Sequence, residues 1–130
     1  MLRIVIPVDG SDGAGHALKA AGRLAGDAAV DAVLLNVRDE PVLLGDLPPH
    51  DDAAASQARA VQQRWLLEAA RAQALQCGLH RVITQGEVGS PASEIARVAR
   101  ERNADLIVMG TRGMNPLGGL LLGSVAQRVV

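Results

Sequence analysis

The sequence is poor in aromatic residues and in lysine. Its 130 residues include no Phe and no Tyr, Trp65 is the single aromatic residue, and Lys19 is the single lysine. Single-stranded nucleic acids are bound largely by stacking of bases on aromatic side chains, so that mode of binding is disfavoured here. Thirteen basic residues against fourteen acidic ones give a formal net charge of −1, which supplies no positive field for duplex DNA. We therefore expect no nucleic-acid partner.

Cysteine and long apolar runs are also scarce. Cys77 is the only cysteine, so neither an internal disulfide nor a multi-thiolate metal site can form within one chain. The first apolar run, Leu2 to Val8, stops at Asp9, too early for the core of a signal peptide. No run approaches the roughly 18 apolar residues of a membrane span. These features predict a cytoplasmic protein with no membrane partner and no metal site of its own side chains.

Apolar residues, by contrast, make up 48% of the chain, enough for the core of one ordinary domain. Four short runs rich in Val, Ile and Leu predict strands. In two of them, at Ile4–Ile6 and Leu106–Val108, apolar residues follow one another without polar alternation, as expected of parallel strands covered on both faces. The predicted strands are Leu2–Val8, Asp31–Val37, His80–Gln85 and Asp105–Met109.

Three segments between these strands carry apolar residues at the three- and four-residue spacing of a helix. Ser11 or Asp12 is expected to cap the first helix, Asp51 or Asp52 to start the second, and Ser90-Pro91 to open the third. The stripes expected to face inward are Ala14, Ala17, Leu18, Ala21, Leu24 and Ala25; then Ala58, Val61, Trp65, Ala69 and Ala72; then Ala92, Ile95, Ala96 and Ala99.

Strand and helix therefore alternate along the whole chain. Every connection exceeds the dozen or so residues that a parallel crossover requires, so right-handed βαβ units are the natural assembly. We predict a single-domain α/β protein over residues 1–130, with a doubly wound, Rossmann-like parallel sheet. The loop from Asp39 to His50 is long for such a connection and is a candidate lid.

The segment after the fourth strand carries the strongest functional signal. It contains Gly110-Thr111-Arg112-Gly113, nine further residues, and then Gly123-Ser124-Val125. Glycines let the backbone approach a ligand, and a helix that opens at Gly123-Ser124 would present N–H groups to an anion. Arg112 adds a permanently charged planar donor. Alone, a G-x-x-G after a strand more often forms a turn, but the longer pattern favours a phosphate site.

G-x-x-G, nine residues and G-[ST] is the pattern of nucleotide-binding universal stress proteins, and this sequence resembles that family. Gly110, Gly113, Gly123 and Ser124 match the pattern without a gap. The resemblance extends over most of the chain, because three further segments are similar to the first strand and turn, the start of the third helix and the fourth strand of the family. These segments are Ile4–Ser11, Gly89–Ile95 and Ala104–Gly110.

The resemblance implies an ATP-binding protein, or one that binds a related adenine nucleotide, with Mg²⁺ or Mn²⁺ at the phosphates. In the family's strand order, 3-2-1-4-5, the first and fourth strands are neighbours, so Asp9 and Gly110 share a crevice at the topological switch point. From spacing alone, Asp9 is equally well explained as a turn or cap residue. The implied contacts are Pro7, Val8 and Asp9 with the backbone of Asn36 or Val37 at the adenosine, and Met109, Gly110, Arg112, Gly113, Gly123, Ser124 and Val125 at the ribose and phosphates.

Family members continue through a helix to a fifth strand that helps to build a homodimer. Here the sequence stops at Val130, about two turns after Ser124. We therefore expect the order 3-2-1-4 with the fifth strand missing, and an uncovered edge on the fourth strand unless a further segment or a partner chain covers it.

Several functions stay open. Neither a P-loop nor the Rossmann G-x-G-x-x-G is present, and His16, His50 and His80 lie far apart in the sequence. No nucleophile is paired with a base at recognisable spacing, so no catalytic residue is predicted. The favoured function is a nucleotide-responsive regulatory protein with little intrinsic hydrolysis. The alternatives are an enzyme that uses the same site, as a slow ATPase, phosphotransferase or adenylate-forming protein, and a dimeric scaffold without nucleotide.

Overall fold

A computed structural model describes residues 1–26, 29–39, 49–110 and 120–121, of which 49–52 and 120–121 are described as backbone alone. Strands and helices alternate as the sequence predicts. The elements in chain order are β1 (Leu2–Pro7), α1 (Asp12–Ala25), β2 (Val30–Arg38), α2 (Pro49–Gln76), β3 (Arg81–Val88), α3 (Pro91–Glu101), β4 (Leu106–Val108) and β5 (Leu120–Leu121).

The first four strands form a parallel sheet in the order β3-β2-β1-β4, which confirms the predicted doubly wound α/β fold. Strand β1 is central. It pairs with β2 from Leu2↔Val30 to Pro7↔Leu35 and with β4 at Ile4↔Leu106 and Val5↔Ile107. The chain continues from β1 to β2 on one side of β1, and from β3 to β4 on the other side of β1. The carboxyl ends of β1 and β4 therefore flank a topological switch point.

The outer edge of β4 differs from the expectation. Strand β5 pairs antiparallel with β4, with Ile107 opposite Leu121 and Val108 opposite Leu120. The expectation of an uncovered edge was therefore wrong at these two positions. Leu120 and Leu121 belong to the nine residues between Gly113 and Gly123, for which we predicted no strand. An antiparallel partner needs no long crossover, so a segment this close in sequence can reach the edge.

Alternate residues of each strand face opposite layers of the fold. On one side, Ile6 and Leu34 pack with the buried faces of α1 and α2. On the other side, Val5 and Leu35 pack with Val98 of α3. All five side chains are fully buried. The sheet is thus covered by helices on both faces, as the uninterrupted apolar runs predicted.

Helix α1 follows the sequence pattern closely. Ser11 is its N-cap, because the Ser11 hydroxyl accepts a hydrogen bond from the Ala14 N–H at 3.3 Å. Of the predicted inward stripe, Leu24 alone is misplaced, with 38% of its surface exposed. The residues of the stripe that are buried are Ala14, Ala17, Leu18, Ala21 and Ala25.

The face of helix α2 that packs on the sheet is opposite to the predicted one. The stripe through Val61 and Trp65 lies outside, and Trp65 is 75% exposed. The inward residues are Leu67, Ala70 and Ala74. The helix also begins at Pro49, so Asp51 and Asp52 lie inside it and do not start it. Alanine occurs on both faces of α2, and the inward face includes the polar Gln63, so apolar spacing alone selected the wrong stripe.

Helix α3 begins as predicted, with Ser90 at the N-cap and Pro91 in the first turn, although the Ser90 side chain makes no capping hydrogen bond. Ala92 is exposed, contrary to the prediction, whereas Ala96 and Ala99 are buried. The predicted stripe also omitted Val98, which is fully buried. The inward face of α3 is centred nearer the end of the helix, where α3 approaches β1 and β2.

Candidate functional site

A cavity of about 230 Å³ opens at the carboxyl ends of β1, β2 and β4. In doubly wound α/β proteins, ligands bind in the crevice at this position. Seven of the twelve predicted contact residues line it, which brings together side chains up to about a hundred residues apart in sequence. The cavity is lined by Pro7, Val8, Asp9, Ser11, Ala14, Leu35, Asn36, Val37, Pro91, Ile95, Met109 and Gly110.

The first wall of the cavity is the turn that follows β1. After Pro7 the strand departs from the sheet, and its last backbone contact with β2 is the Val8 N–H, which donates to the Leu35 carbonyl at 2.8 Å. One carboxylate oxygen of Asp9, Oδ1, accepts a hydrogen bond from the Ser11 N–H at 2.9 Å. Gly10 has a φ of +83°, a backbone conformation that suits glycine. The turn thereby holds Asp9 at the cavity.

The second wall is the end of β2, which runs past the point where β1 stops. Backbone N–H and C=O groups of a strand point alternately to its two neighbours. The Leu35 carbonyl points to β1, where it accepts from Val8, and the Arg38 carbonyl points to β3, where it accepts from Gly89. By the same alternation, the backbone N–H and C=O of Val37 point toward the side that β1 has left. They face the cavity.

The third wall is the end of β4, at Met109 and Gly110. A Cβ atom on Gly110 would overlap the backbone of Gly13 in the first turn of α1. Glycine is therefore required here for the close packing of β4 against α1, whether or not a ligand binds. The role of Gly110 in ligand binding stays a prediction.

Two cavity residues, Pro91 and Ile95, were not predicted as contacts. They lie in the first two turns of α3, which closes the cavity from the side opposite α1. The signal was present in the sequence, since Ser90-Pro91 starts a helix directly after a strand whose carboxyl end lies at the same edge of the sheet. The inward-facing residues of that first turn were therefore candidates.

The predicted phosphate contacts Arg112, Gly113, Gly123, Ser124 and Val125 lie outside the described residues. So does most of the candidate lid from Asp39 to His50, of which the structure describes Asp39 and the helical residues 49 and 50. Among the described side chains of residues 1–26, 29–39 and 53–110, no group of three or more His, Cys, Asp or Glu residues is arranged to hold a metal ion.

The described cavity is uncharged except for one group. Asp9 is its only ionisable lining residue, and most other lining side chains are apolar. Its volume is below the roughly 300–1,000 Å³ typical of sites for drug-sized ligands, so the described part suits a fragment such as a flat heterocycle with a sugar. Apolar walls with a few backbone donors and acceptors suit a base, whereas a phosphate would need cationic or N–H-rich surroundings.

A second cavity, of about 710 Å³, lies at the amino-terminal ends of β1, β2 and β3, beside the end of α3. It is the larger of the two, but it lies at the end of the sheet away from the switch point. Its charged residues are largely engaged with neighbours: Arg81 pairs with Asp31 at 3.0 Å, and Arg102 donates to Gln85 at 2.7 Å. The smaller cavity is therefore the candidate site.

A parallel sheet with helices on both faces and a ligand-sized cavity at its switch point defines a doubly wound, Rossmann-like α/β protein. Residues 1–130 match the model of the universal stress protein family. A universal stress protein of Methanocaldococcus jannaschii is 36% identical over 129 residues, covering 98% of this chain and 75% of the relative. The universal stress protein YxiE of Bacillus subtilis is 30% identical over 98% of this chain and 90% of the relative. The chain belongs to the universal stress protein family.

Solved structures support the same assignment. A member of the family from Burkholderia pseudomallei superposes with a TM-score of 0.68 at 32% identity, over 98% of this chain and 86% of that one. In the part of the chain that the structure describes, no helix is both long and apolar enough to cross a membrane.

Proposed function

We propose that this protein binds an adenine nucleotide, with ATP as the main ligand, and that the base and ribose occupy the 230 Å³ cavity. The observation that carries this proposal is that Val37 lines the cavity where β1 has left the sheet, and strand alternation directs its backbone groups to that side. An adenine base can donate its N6 amino hydrogens to a backbone carbonyl and accept at N1 from a backbone N–H. A strand end with exposed backbone groups is suited to both.

The other cavity residues fit a nucleoside. Ile95 and Met109 offer apolar surface to the faces of a base. Asp9 lines the cavity, and a carboxylate can accept hydrogen bonds from ribose hydroxyls. Arg112 and the Gly123-Ser124 pair would hold the phosphates, and bound Mg²⁺ or Mn²⁺ would neutralise part of the phosphate charge.

Nucleotide complexes are known for this fold. One universal stress protein has been solved with cAMP, and the universal stress protein of Archaeoglobus fulgidus has been solved with dAMP. At 22% and 24% identity these proteins share the fold with this chain.

We further propose a regulatory role in the cytoplasm, as a homodimer whose single domain spans residues 1–130, with little intrinsic hydrolysis. Asp9 is the only ionisable side chain on the described cavity wall, and its Oδ1 already accepts from the Ser11 N–H. A carboxylate at this position can orient a ribose, and the sequence pairs no nucleophile with a base at recognisable spacing. We therefore expect binding without rapid turnover.

Calorimetry with AMP and with ATP plus Mg²⁺ tests the proposal. We expect a micromolar dissociation constant for the wild type. Asp9→Asn keeps an acceptor for Ser11 but removes the charge, so it should weaken binding several-fold without unfolding the protein. Glu68→Asn, on the exposed face of α2, is the remote control and should leave binding unchanged. A folded wild type that gives no heat and no thermal shift with millimolar AMP or ATP would contradict the proposal.

A further inference from the structure

A glutamine on α2 contacts the ends of β2 and β3 next to the cavity. The side-chain amide nitrogen of Gln63 donates to the backbone carbonyl of Asn36 at 2.8 Å and to the Oδ1 of the same residue at 2.9 Å. It also lies 3.1 Å from the backbone carbonyl of Glu87, on β3. Gln63 does not line the cavity itself, whereas Asn36 does.

The Asn36 side chain passes this contact on to β1. With its Oδ1 turned to Gln63, its Nδ2 donates to the Val8 carbonyl at 2.7 Å. This is the position where β1 leaves the sheet, one residue beyond the last paired residue, Pro7. The chain of contacts from Gln63 through Asn36 to Val8 therefore holds the two walls of the cavity that come from β1 and β2 at a fixed separation.

The sequence leaves space for this amide. Gly86, the partner of Asn36 in the register of β2 and β3, lies directly beneath it. A Cβ atom on Gly86 would come within 2.8 Å of Gln63 Oε1 and 2.9 Å of Gln63 Cδ. Such distances force a shift, and the end of a flexible side chain is what would move. The substitution Gly86→Ala, on β3, would thus displace the Gln63 amide without any change to α2.

We propose that Gln63 is a positioning residue that sets the base selectivity of the cavity, an inference that rests on the proposed binding of an adenine nucleotide. By holding Asn36 and Val8, Gln63 fixes the direction of the neighbouring Val37 backbone groups. Adenine presents the N6 donor beside the N1 acceptor, whereas guanine presents the O6 acceptor beside the N1–H donor. Backbone groups held in a fixed direction bind the adenine pattern and reject the guanine pattern. If these groups can move, guanine is rejected less strongly.

The test compares AMP with GMP, which share the ribose and the phosphate, in five proteins: wild type, Gln63→Leu, Gly86→Ala, the double variant and Gln62→Leu. Leucine has nearly the volume of glutamine but cannot donate. Gln62 is exposed on the same helix and serves as the matched control. The measured quantity is the ratio of the two dissociation constants, because a general loss of folded protein weakens both nucleotides alike. Amide hydrogen exchange of the ligand-free proteins adds a readout at residues 8–10 and 36–38.

We expect the preference for AMP to fall about tenfold in Gln63→Leu and in Gly86→Ala, the size of effect that one hydrogen bond typically has. The double variant should lose no more than either single variant, because both remove the same contact. Amide hydrogen exchange at residues 8–10 and 36–38 should be faster in Gln63→Leu and in Gly86→Ala. Gln62→Leu should match the wild type. A wild type that binds AMP while both variants keep its preference overturns the inference alone. A folded wild type that binds no AMP overturns the proposed function and the inference together.

Discussion

The two faces of the sheet are stabilised by different means. On the face that carries α1 and α2, Ile4, Ile6 and Leu34 pack into a continuous apolar cluster with the buried side chains of both helices. On the face that carries α3, the apolar cluster is smaller, and Leu35 borders the candidate cavity. One face supplies the larger apolar core, and the smaller core on the other face borders the candidate cavity.

Charged side chains border the smaller cluster. Arg97 of α3 contacts three carboxylates, at 2.6 Å from Glu94 and 3.0 Å from both Glu87 and Glu101. Glu87 lies on β3, so this group ties α3 to the edge strand of the sheet. The stability that ion pairs contribute to a layer depends on pH, whereas the stability contributed by apolar packing does not. The two faces should therefore respond differently to truncation of side chains and to acid.

Adjacent leucines of β2 offer the sharpest test of this difference and its largest expected effect. Leu34 and Leu35 are both fully buried and point to opposite faces. We expect Leu34→Ala to lower the free energy of unfolding by about 4 kcal/mol and Leu35→Ala by about 2 kcal/mol, near the two ends of the usual range. The void left by Leu35 merges with an existing cavity, so fewer packing contacts are lost there. Urea unfolding followed by circular dichroism measures both, and equal losses would show that the two layers are packed alike.

Acid provides a smaller effect, confined to the α3 face. The hydrogen bond from Arg97 lowers the pKa of the Glu94 carboxyl below its usual value of 4.5. The folded protein therefore binds the Glu94 proton less readily than the unfolded chain does. The resulting stabilisation is fully present above about pH 5 and is lost as the pH falls through the lowered pKa.

Urea midpoints of the wild type and Glu94→Gln, measured from pH 7 down to pH 3, should show this contribution. The wild type should be the more stable of the two at pH 7, and the difference should shrink as the pH falls. Glu68→Gln, on the exposed face of α2, is the control and should run parallel to the wild type at every pH. A Glu94→Gln curve that also runs parallel to the wild type would mean that the contact with Arg97 contributes no pH-dependent stability.

Much of this architecture was predictable because its signals are local. The uninterrupted apolar runs of β1 and β4 and the Ser11 cap of α1 each follow from a few neighbouring residues, and each is confirmed by the structure. The glycine pattern was visible as well, but it continues beyond the described residues, so its phosphate contacts stay predictions. Seven predicted site residues lie together because the strand order, which the resemblance to the family implied, brings their strand ends to one edge.

The features that could not be predicted from the sequence depend on contacts between helices and strands. The role of Gln63 depends on a register that places Asn36 opposite Gly86, and no spacing within α2 contains that information. The same residue explains the wrong face of α2. A glutamine whose amide nitrogen donates to carbonyl oxygens of the strands can face the sheet, so polarity was a misleading guide to exposure. Trp65 was misassigned in the opposite sense, because it fits the apolar spacing of the stripe that proves to be exposed.

The smallest expected effect comes from Trp65, and it tests which face of α2 is inward. Trp65 is 75% exposed, whereas Leu67, two residues further along the helix, is 5% exposed. We expect Trp65→Ala to change the free energy of unfolding by no more than about 0.5 kcal/mol, as for most surface positions. Leu67→Ala should lower it by at least about 2 kcal/mol, because it leaves a void between α2 and the sheet. Circular dichroism in urea is the suitable measurement, since it does not depend on the tryptophan that is removed. If Trp65→Ala proved as damaging as Leu67→Ala, the Trp65 face would be buried in solution, by another part of the chain or by another molecule.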